Sequence, residues 1–279
     1  MSITAMINVL SLFDGISCGQ IALERAGIKV SNYFASEIDK NAIKVTQHNY
    51  PSTIQLGSVI DVKAENLSKI DLLIGGSPCQ GFSFMGNQLN FDDPRSKLFF
   101  EYLRLLKECN PTYFFLENVK MRREYQDTIS KELGVEPILI DSGLVSAQHR
   151  ERLYWTNISN ITQPNNKNIL LKDILESDIL FSENDKVWTY NADKPSKQNK
   201  KAKCLRACAG GITKGIGVYS ADNKLWRKMT PIECERLQTV PDNYTKSISN
   251  NQRYKSLGNC WTVDLITHIF SFLPKELKD

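Results

Sequence analysis

The sequence has no apolar run long enough to cross a membrane. It also has no close-spaced cysteine and histidine ligands for a metal, since Cys204 and Cys208 have no histidine near them. Seven cysteines, an odd number, argue against a disulfide framework and favour reduced thiols. The amino end lacks a basic segment followed by an apolar signal region. We therefore expect a cytoplasmic protein that contacts neither membrane nor metal.

Charge is only weakly unbalanced, at +4 over 279 residues, and the rest of the composition is that of an ordinary globular protein. The excess is local, because residues 159–251 carry +5 and the remainder carries −1. A lysine-rich stretch is most often a solvated loop. It also suits contact with a polyanion.

Strand-like and helix-like stretches alternate through the first 158 residues. Predicted strands lie at 7–13, 30–36, 53–59, 71–75, 113–117 and 137–141, and predicted helices at 16–26, 40–48, 96–109 and 125–133. This order predicts an α/β fold with a mostly parallel sheet, helices on both faces and a ligand site at the carboxyl edge. Residues 159–251 are Asn- and Lys-rich and weakly periodic, which predicts a second, smaller domain. A helix at 261–273 should return to the first domain.

The strongest chemical signal is the loop from Gly75 to Ser83, which contains Pro78 and Cys79. Its glycines end a buried strand and allow close approach to a ligand, and Pro78 fixes the direction of the next side chain. A cysteine is more often an inert core residue than a nucleophile. The loop nevertheless presents Cys79 at the expected ligand edge.

Two further groups of residues fall near that edge. Glu117 ends a predicted strand, although an acid in this position is more often a cap or a surface charge. Gln148, Arg150 and Arg152 would share one face of an extended segment, because strand side chains alternate. The two guanidiniums could bind a carboxylate or a base carbonyl. The ordinary alternative is a surface strand with salt bridges.

Together these motifs resemble those of the DNA cytosine-5 methyltransferase family, in the family's order and over nearly the whole chain. The resemblance rests on a cofactor loop, a nucleophile motif, an acid motif, a Gln-x-Arg-x-Arg motif and two late motifs, at Phe13–Gly15, Pro78–Cys79, Glu117–Val119, Gln148–Arg152, Met229–Gln238 and Tyr254–Asn259. Residues 10–16 and Trp261 are also similar to the mammalian de novo DNA methyltransferases, whereas the compact size is similar to bacterial and phage enzymes. The resemblance implies a Rossmann-like S-adenosylmethionine-dependent methyltransferase fold. Residues 1–158 and 252–279 would form the catalytic domain and 159–251 the target-recognition domain.

The reaction implied by the resemblance is methyl transfer from S-adenosylmethionine to carbon 5 of cytosine in double-stranded DNA. Carbon 5 is a poor nucleophile, so the thiolate of Cys79 must first add to carbon 6. Glu117 would protonate ring N3 or donate a hydrogen bond to it, while Arg150 or Arg152 would bind the base carbonyl and orient Glu117. The target nucleotide must be flipped out of the stack, since a stacked base is out of reach.

The resemblance also assigns ligand-contacting residues. The cofactor would contact the loop after the first strand, the next strand ends and two late residues: Phe13, Asp14, Gly15, Ile16, Glu37, Ile38, Ser58, Val59, Pro78, Asn259 and Trp261. DNA would contact the nucleophile loop, the Gln-x-Arg-x-Arg motif and the lysine-rich stretch: Gln80, Ser83, Gln148, Lys197, Lys200, Lys201 and Lys203. Side chains of residues 202–222 would reach base edges.

One position departs from the family pattern. The family has Gly-Asp followed by Ile or Val where this chain has Gly57, Ser58 and Val59, so a hydroxyl replaces the carboxylate that binds adenine. Asp61 lies three residues further on and could supply that carboxylate instead.

Two other functions compete with this interpretation. A transfer-RNA branch of the family shares the catalytic motifs, but the chain lacks that branch's Cys-Phe-Thr signature. A catalytically weak relative could bind DNA alone, although inactive relatives tend to lose the nucleophile or the acid, and Cys79 and Glu117 are both present. We expect the protein to be a monomer.

Overall fold

The chain forms two compact units in a computed structural model that describes residues 6–77, 94–176, 187–191, 194–195, 201–207, 217–220 and 225–278. The first unit contains Met1–Ile140, Glu151–Gln163 and Ile266–Asp279. The second contains Asp141–Arg150 and Pro164–Leu265.

A seven-stranded sheet is the centre of the first unit. Its strands are β1 (Ile7–Leu12), β2 (Val30–Ser36), β3 (Ile54–Gln55), β4 (Leu72–Gly75), β5 (Tyr113–Val119), β6 (Ile138–Asp141) and β7 (Glu151–Thr156). They lie in the order β3-β2-β1-β4-β5-β7-β6. The pairings β1–β2, β1–β4, β2–β3 and β4–β5 are parallel, and β5–β7 is antiparallel. The predicted α/β fold with a mostly parallel sheet is confirmed.

The helices are α1 (Cys18–Arg25), α2 (Lys40–Asn49), α3 (Pro94–Cys109), α4 (Arg123–Leu133), α5 (Pro231–Leu237), α6 (Asn250–Asn259) and α7 (Val263–Phe270). Apolar side chains of α3 and α4 share one buried cluster with the sheet, including Leu103, Ile129, Leu10, Leu73 and Leu116. Each such side chain contributes roughly 1.5–3 kcal/mol on burial. Among the described residues, no helix is both long and apolar enough to cross a membrane.

The predicted strand at 53–59 was wrong in its length, because β3 ends at Gln55. Gly57 follows with a φ of 74°, a left-handed conformation that interrupts an extended chain. A 3-10 turn then runs over Val59–Asp61. The residues expected to face the cofactor there consequently sit on a tight turn rather than a strand.

The carboxyl-terminal helix returns to the sheet, as predicted, although it covers only Val263–Phe270 of the expected 261–273. Within the first unit, the ring of Phe270 packs edge-on against Phe115 of β5 with centroids 5.4 Å apart. This contact anchors the end of the chain beside the strand that carries Glu117.

The second unit contains an antiparallel sheet in the order β11-β10-β8-β9, formed by β8 (Val187–Asn191), β9 (Lys194–Pro195), β10 (Gly217–Ser220) and β11 (Leu225–Lys228). Helix α5 follows and buries two carboxylates completely, those of Glu233 and Glu235. Arg227 donates to both oxygens of Glu233 at 2.7 and 2.6 Å, and Arg253 donates to Glu235 at 2.9 Å. Buried charges persist when they are paired in this way.

Gly258 of α6 lies where no side chain fits. A Cβ atom at this position would stand 2.2 Å from the backbone nitrogen of Ala207 and 2.3 Å from the backbone carbon of Arg206. Because these are main-chain atoms, a side chain at position 258 could be accommodated only if the 206–207 segment moved. We predict that Gly258→Ala lowers the free energy of unfolding by about 3 kcal/mol.

Urea denaturation would measure this loss, with Asn251→Ala as the control because Asn251 is exposed on the same helix. The control should change stability by less than about 0.5 kcal/mol. Equal midpoints for Gly258→Ala and the control would contradict the close approach at Gly258.

Candidate active site

Loops that follow neighbouring parallel strands meet at one edge of the first unit's sheet. Phe13–Ser17 follows β1, Glu37 follows β2 and Ser77 closely follows β4. Glu117 and Asn118 lie near the end of β5. The carboxyl edge of such a sheet is the usual ligand site.

The loop after β1 is held in an unusual conformation. Phe13 and Ser17 have a φ of 58° and Gly15 has a φ of 62°, so two residues other than glycine are left-handed. The amide of Gly15 donates to the Glu37 carboxylate at 2.8 Å. Ile16 is buried, with 1% of its surface exposed. The loop is therefore tied to the end of the next strand.

Glu37 and Ile38 border an open cradle. The Glu37 carboxylate accepts from the amides of Gly15, Ile38 and Asp39, each at 2.8 Å. A carboxylate has about four acceptor positions, so one remains for a ligand hydroxyl. Ile38 is 74% exposed, and a Cβ atom at Gly15 or Gly57 would meet nothing within 4 Å. An adenosyl group fits these features, since its ribose presents hydroxyls and its adenine presents an apolar face.

Asp14 lies in the same loop, and each of its two carboxylate oxygens accepts a hydrogen bond from a hydroxyl group. The Tyr33 hydroxyl donates to its Oδ1 at 2.8 Å, and the Ser17 hydroxyl donates to its Oδ2. Burial raises the pKa of Asp14 to about 6; the nearby hydroxyls oppose this shift and the charge of Glu37 adds to it. Folding therefore disfavours the ionised form of this carboxyl group.

Ser58 begins the turn at Val59–Asp61, and its hydroxyl accepts from the amide two residues on at 3.4 Å. Arg104 of α3 secures the turn by donating to the carbonyls of Val59 and Val62 at 3.1 and 3.0 Å. The Val59 side chain belongs to the buried core, whereas Asp61 is exposed. Ser58 and Asp61 thus lie on one short, anchored turn.

Glu117 and Arg152 form an ion pair, with Arg152 Nε 2.8 Å from Glu117 Oε1. Their side chains are 12% and 14% exposed, respectively. The antiparallel register sets Arg152 opposite Val119, two residues beyond Glu117 on β5. Side chains two apart on a strand share a face, so the backbone pairing itself brings the guanidinium to the carboxylate.

Asn118 was named in the sequence only as part of a motif, yet it has a defined structural role. It is buried, and its Nδ2 donates to Ser77 Oγ at 3.1 Å. This bond ties the strand of Glu117 to the segment that enters the nucleophile loop. The only signal in the sequence was an asparagine directly after the predicted acid, Glu117. Pro78, Cys79, Gln80 and Ser83 themselves lie outside the described residues.

Arg150 and Arg152 have different partners, although the sequence predicts that they share one face of an extended segment. Strand β7 begins at Glu151, so Arg150 lies just before the strand and Arg152 lies within it. Within the second unit, the buried Arg150 guanidinium donates to the carbonyls of Leu205 and Cys260 at 2.8 and 3.1 Å. These contacts make it a cross-link between segments of the second unit.

The other predicted residues of the second unit have mixed surroundings. Gln148 is fully buried and donates to Gln238 Oε1 at 2.9 Å. Lys201 Nζ donates to the carbonyls of Ser146 and Ile169 at 2.9 and 2.6 Å. Lys203 and Asn259 are exposed, and Trp261 is half-buried. Lys197 and Lys200 lie outside the described residues. In the described part of the chain, no cluster of His, Cys, Asp and Glu side chains could hold a metal ion.

Comparisons with known proteins give a consistent family. The family model described as C-5 cytosine-specific DNA methylase matches residues 7–206 and 144–275. Type II methyltransferase M1.ScrFI of Lactococcus lactis subsp. cremoris is 32% identical, over 99% of this chain and 80% of that protein. Type II methyltransferase M.NlaX of Neisseria lactamica is 29% identical, over 98% of each chain.

Solved structures agree on the fold. Entamoeba histolytica methyltransferase EhMeth matches with a TM-score of 0.72 at 20% identity, over 99% of this chain and 100% of that chain. The Dnmt2 methyltransferase of S. pombe matches with a TM-score of 0.71 at 22% identity, over 96% of this chain and 98% of that chain. At these identities the likeness concerns the fold, which is that of the S-adenosylmethionine-dependent methyltransferases.

The raised pKa of Asp14 gives a prediction for stability. Because its folded-state pKa of about 6 lies above the ordinary 3.8, ionisation opposes folding above pH 6, and this penalty disappears below about pH 4. Asn keeps only one of the two oxygens that accept from Tyr33 and Ser17, a loss that is the same at every pH. We therefore predict that the stability of Asp14→Asn relative to the wild type rises by on the order of 1–2 kcal/mol between pH 4.5 and pH 8, after allowance for solvent screening. Urea midpoints at pH 4.5 and pH 8 would measure it. A difference from the wild type that is the same at both pH values would contradict the assignment.

The two arginines should also differ in stability. Arg150→Met would remove the guanidinium bonds to two buried carbonyls of the second unit, which keep only longer bonds from Gln238 and Cys204, and should lower the free energy of unfolding by about 3 kcal/mol. Arg152→Met removes one ion pair between half-buried side chains that solvent still reaches in part, and should cost about 1 kcal/mol. Chemical denaturation would measure the loss in free energy of unfolding for both variants, and each variant serves as the control for the other. Equal losses would refute the structural role of Arg150.

Proposed function

This chain belongs to the C-5 cytosine-specific DNA methylase family, and from that premise we propose that it methylates a flipped-out cytosine at one specific sequence of double-stranded DNA through a covalent Cys79 adduct. The observation that carries the proposal is the ion pair between Glu117 and Arg152, at 2.8 Å on the carboxyl edge of the sheet. Asn118 supports it by linking this strand to Ser77, two residues before Cys79.

S-adenosylmethionine, when bound, supplies a methyl group activated by a sulfonium centre. The residues that would hold it are those of the loop after β1, with Glu37 accepting from a ribose hydroxyl and Ile38 covering adenine. The open space at Gly15 and the exposed Ile38 side chain support this assignment. Ser58 and Asp61 are the alternatives for the adenine amino group, and the contributions of Val59, Pro78, Asn259 and Trp261 remain predictions.

The chain's own residues account for activation of the base. The Cys79 thiolate forms a bond to carbon 6, and the electron pair of the 5,6 double bond becomes available at carbon 5. Glu117 holds a proton at ring N3 and so favours this addition. After carbon 5 is methylated, loss of its proton restores the double bond and expels the thiolate of Cys79.

We assign the orientation of Glu117 to Arg152 rather than to Arg150. The direct contact between Arg152 and Glu117 supports this choice, and the Arg150 contacts with Leu205 and Cys260 support a structural role for that residue. The motif alone left these two roles open.

DNA binding is assigned mainly to residues 159–251, with residues 1–158 and 252–279 as the catalytic part. Phosphate contacts by lysines position a protein on DNA, while other side chains read base edges. Lys203 is exposed and suits a phosphate contact. The Lys201 ammonium already binds two carbonyls, so we assign it a smaller share of the affinity. Lys197, Lys200, Gln80 and Ser83 remain predicted DNA contacts. Gln148 was also predicted to contact DNA, but it is fully buried and its amide is bonded within the second unit, so we assign it a structural role instead.

No observation favours the transfer-RNA alternative, since the matching family model describes a DNA methylase and two matching relatives are type II methyltransferases. A DNA-binding relative without activity would lack a reason for the Glu117–Arg152 pair. We therefore retain a single proposed function.

The covalent step gives the sharpest test. DNA that contains 5-fluorocytosine should trap the wild-type protein, because fluorine cannot leave as the carbon-5 proton does. A complex that survives denaturing electrophoresis is expected for the wild type and absent for Cys79→Ala. Glu117→Gln should slow its formation by about a hundredfold or more, since general acid catalysis contributes roughly 10²–10⁴ in rate.

The control is the same DNA with ordinary cytosine, which should be methylated and released. An active wild-type preparation that forms no trapped complex would refute the Cys79 mechanism.

A further inference from the structure

Three hydroxyl groups surround the loop after β1 and connect it to two other elements. The Tyr33 hydroxyl, from β2, donates to Asp14 Oδ1 at 2.8 Å. The Ser17 hydroxyl donates to Asp14 Oδ2, and its oxygen lies 3.0 Å from Thr46 Oγ1 of α2. We call Tyr33, Ser17 and Thr46 the hydroxyl clasp.

The direction of each bond follows from the number of protons. A serine hydroxyl has one proton, and that of Ser17 is directed to Asp14. Ser17 can therefore only accept from Thr46, whose single proton has two acceptors within reach, the Ser17 oxygen at 3.0 Å and the Gly15 carbonyl at 3.5 Å, both in the loop. Two donor paths, one from each neighbouring element, thus converge on the Asp14 carboxylate.

The clasp is fully enclosed. Ser17 and Thr46 are both 0% exposed and Tyr33 is 4% exposed. Because these donors are buried, a lost hydroxyl would leave one oxygen of the half-buried Asp14 carboxylate short of a hydrogen bond, which is costly. Burial makes the three bonds depend on one another.

The loop needs such support because it is strained. Left-handed residues other than glycine each cost on the order of 1–3 kcal/mol and persist when their surroundings hold them. Phe13 and Ser17 are two such residues, on either side of Asp14 and Gly15. The Gly15 amide is fixed separately by Glu37 at 2.8 Å. The clasp and Glu37 together hold both sides of the loop.

We propose that Tyr33 and Thr46 are positioning residues that keep the Phe13–Ser17 loop in its binding conformation before the cofactor arrives. The inference rests on the proposed cofactor site. A loop that is ordered in advance does not have to be ordered on binding, which strengthens affinity. Neither residue needs to touch the cofactor for this effect.

The test uses Tyr33→Phe and Thr46→Val, which remove one hydroxyl each with little change in shape. Each variant should bind S-adenosylhomocysteine, the demethylated form of the proposed cofactor, about tenfold more weakly in calorimetric titration. Each loses one of the hydrogen bonds that lead to the Asp14 carboxylate. The matched control is Tyr50→Phe, whose hydroxyl donates to the Glu24 carboxylate at 2.8 Å, outside the loop. The control should bind as the wild type does.

A second readout needs no ligand. Amide hydrogen exchange at residues 14–17 of the ligand-free protein should accelerate in both variants and stay unchanged in Tyr50→Phe. Thr46→Val tests the clasp from α2 even if Tyr33→Phe does not fold.

The outcomes separate the two claims. If the wild type binds S-adenosylhomocysteine and both folded variants bind it as tightly, with unchanged exchange, the positioning role is overturned and the proposed cofactor stands. If the wild type itself does not bind, the proposed cofactor is overturned, and the positioning role falls with it.

Discussion

The antiparallel pairing of β5 with β7 is the constraint on which the candidate site depends. Every other observed pairing among β1 to β5 is parallel, and this reversed strand sets Arg152 opposite Val119. The Glu117 carboxylate and the Arg152 guanidinium then meet at 2.8 Å without a long flexible connection. A one-residue slip of β7 would turn Arg152 to the other face of the sheet and separate the pair.

The two units treat buried carboxylates differently. In the second unit, Glu233 and Glu235 are each paired with an arginine, as Arg227 and Arg253 show. Such pairs stabilise a fold without leaving charge uncompensated. The Asp14 carboxylate in the first unit instead accepts hydrogen bonds from hydroxyl groups, and burial raises its pKa. Structural carboxylates are neutralised by cations of the chain, whereas the loop at the sheet edge keeps a carboxylate whose charge opposes folding. A charged group that lowers the stability of the fold in this way is typical of functional sites.

Much of the fold and of the site could be predicted from residue patterns. The alternation of apolar strands and helices was sufficient for the parallel sheet, whereas the nucleophile loop around Cys79 stays a prediction because it lies outside the described residues. Tertiary contacts decided the rest. Arg150 and Arg152 look equivalent in sequence, yet their partners depend on where β7 begins. The sequence alone suggests that Lys201 is a surface lysine, but its ammonium donates to the carbonyls of Ser146 and Ile169, which are distant in sequence.

The most direct test of the account is transfer of a labelled methyl group from S-adenosylmethionine by the purified wild-type protein, offered duplex DNA and transfer RNA in parallel. Nucleoside analysis of both products would identify the modified base. The account predicts label in the DNA alone, as 5-methylcytosine, and none with Cys79→Ala. Label in transfer RNA alone, or on another base or ring position of DNA, would contradict it.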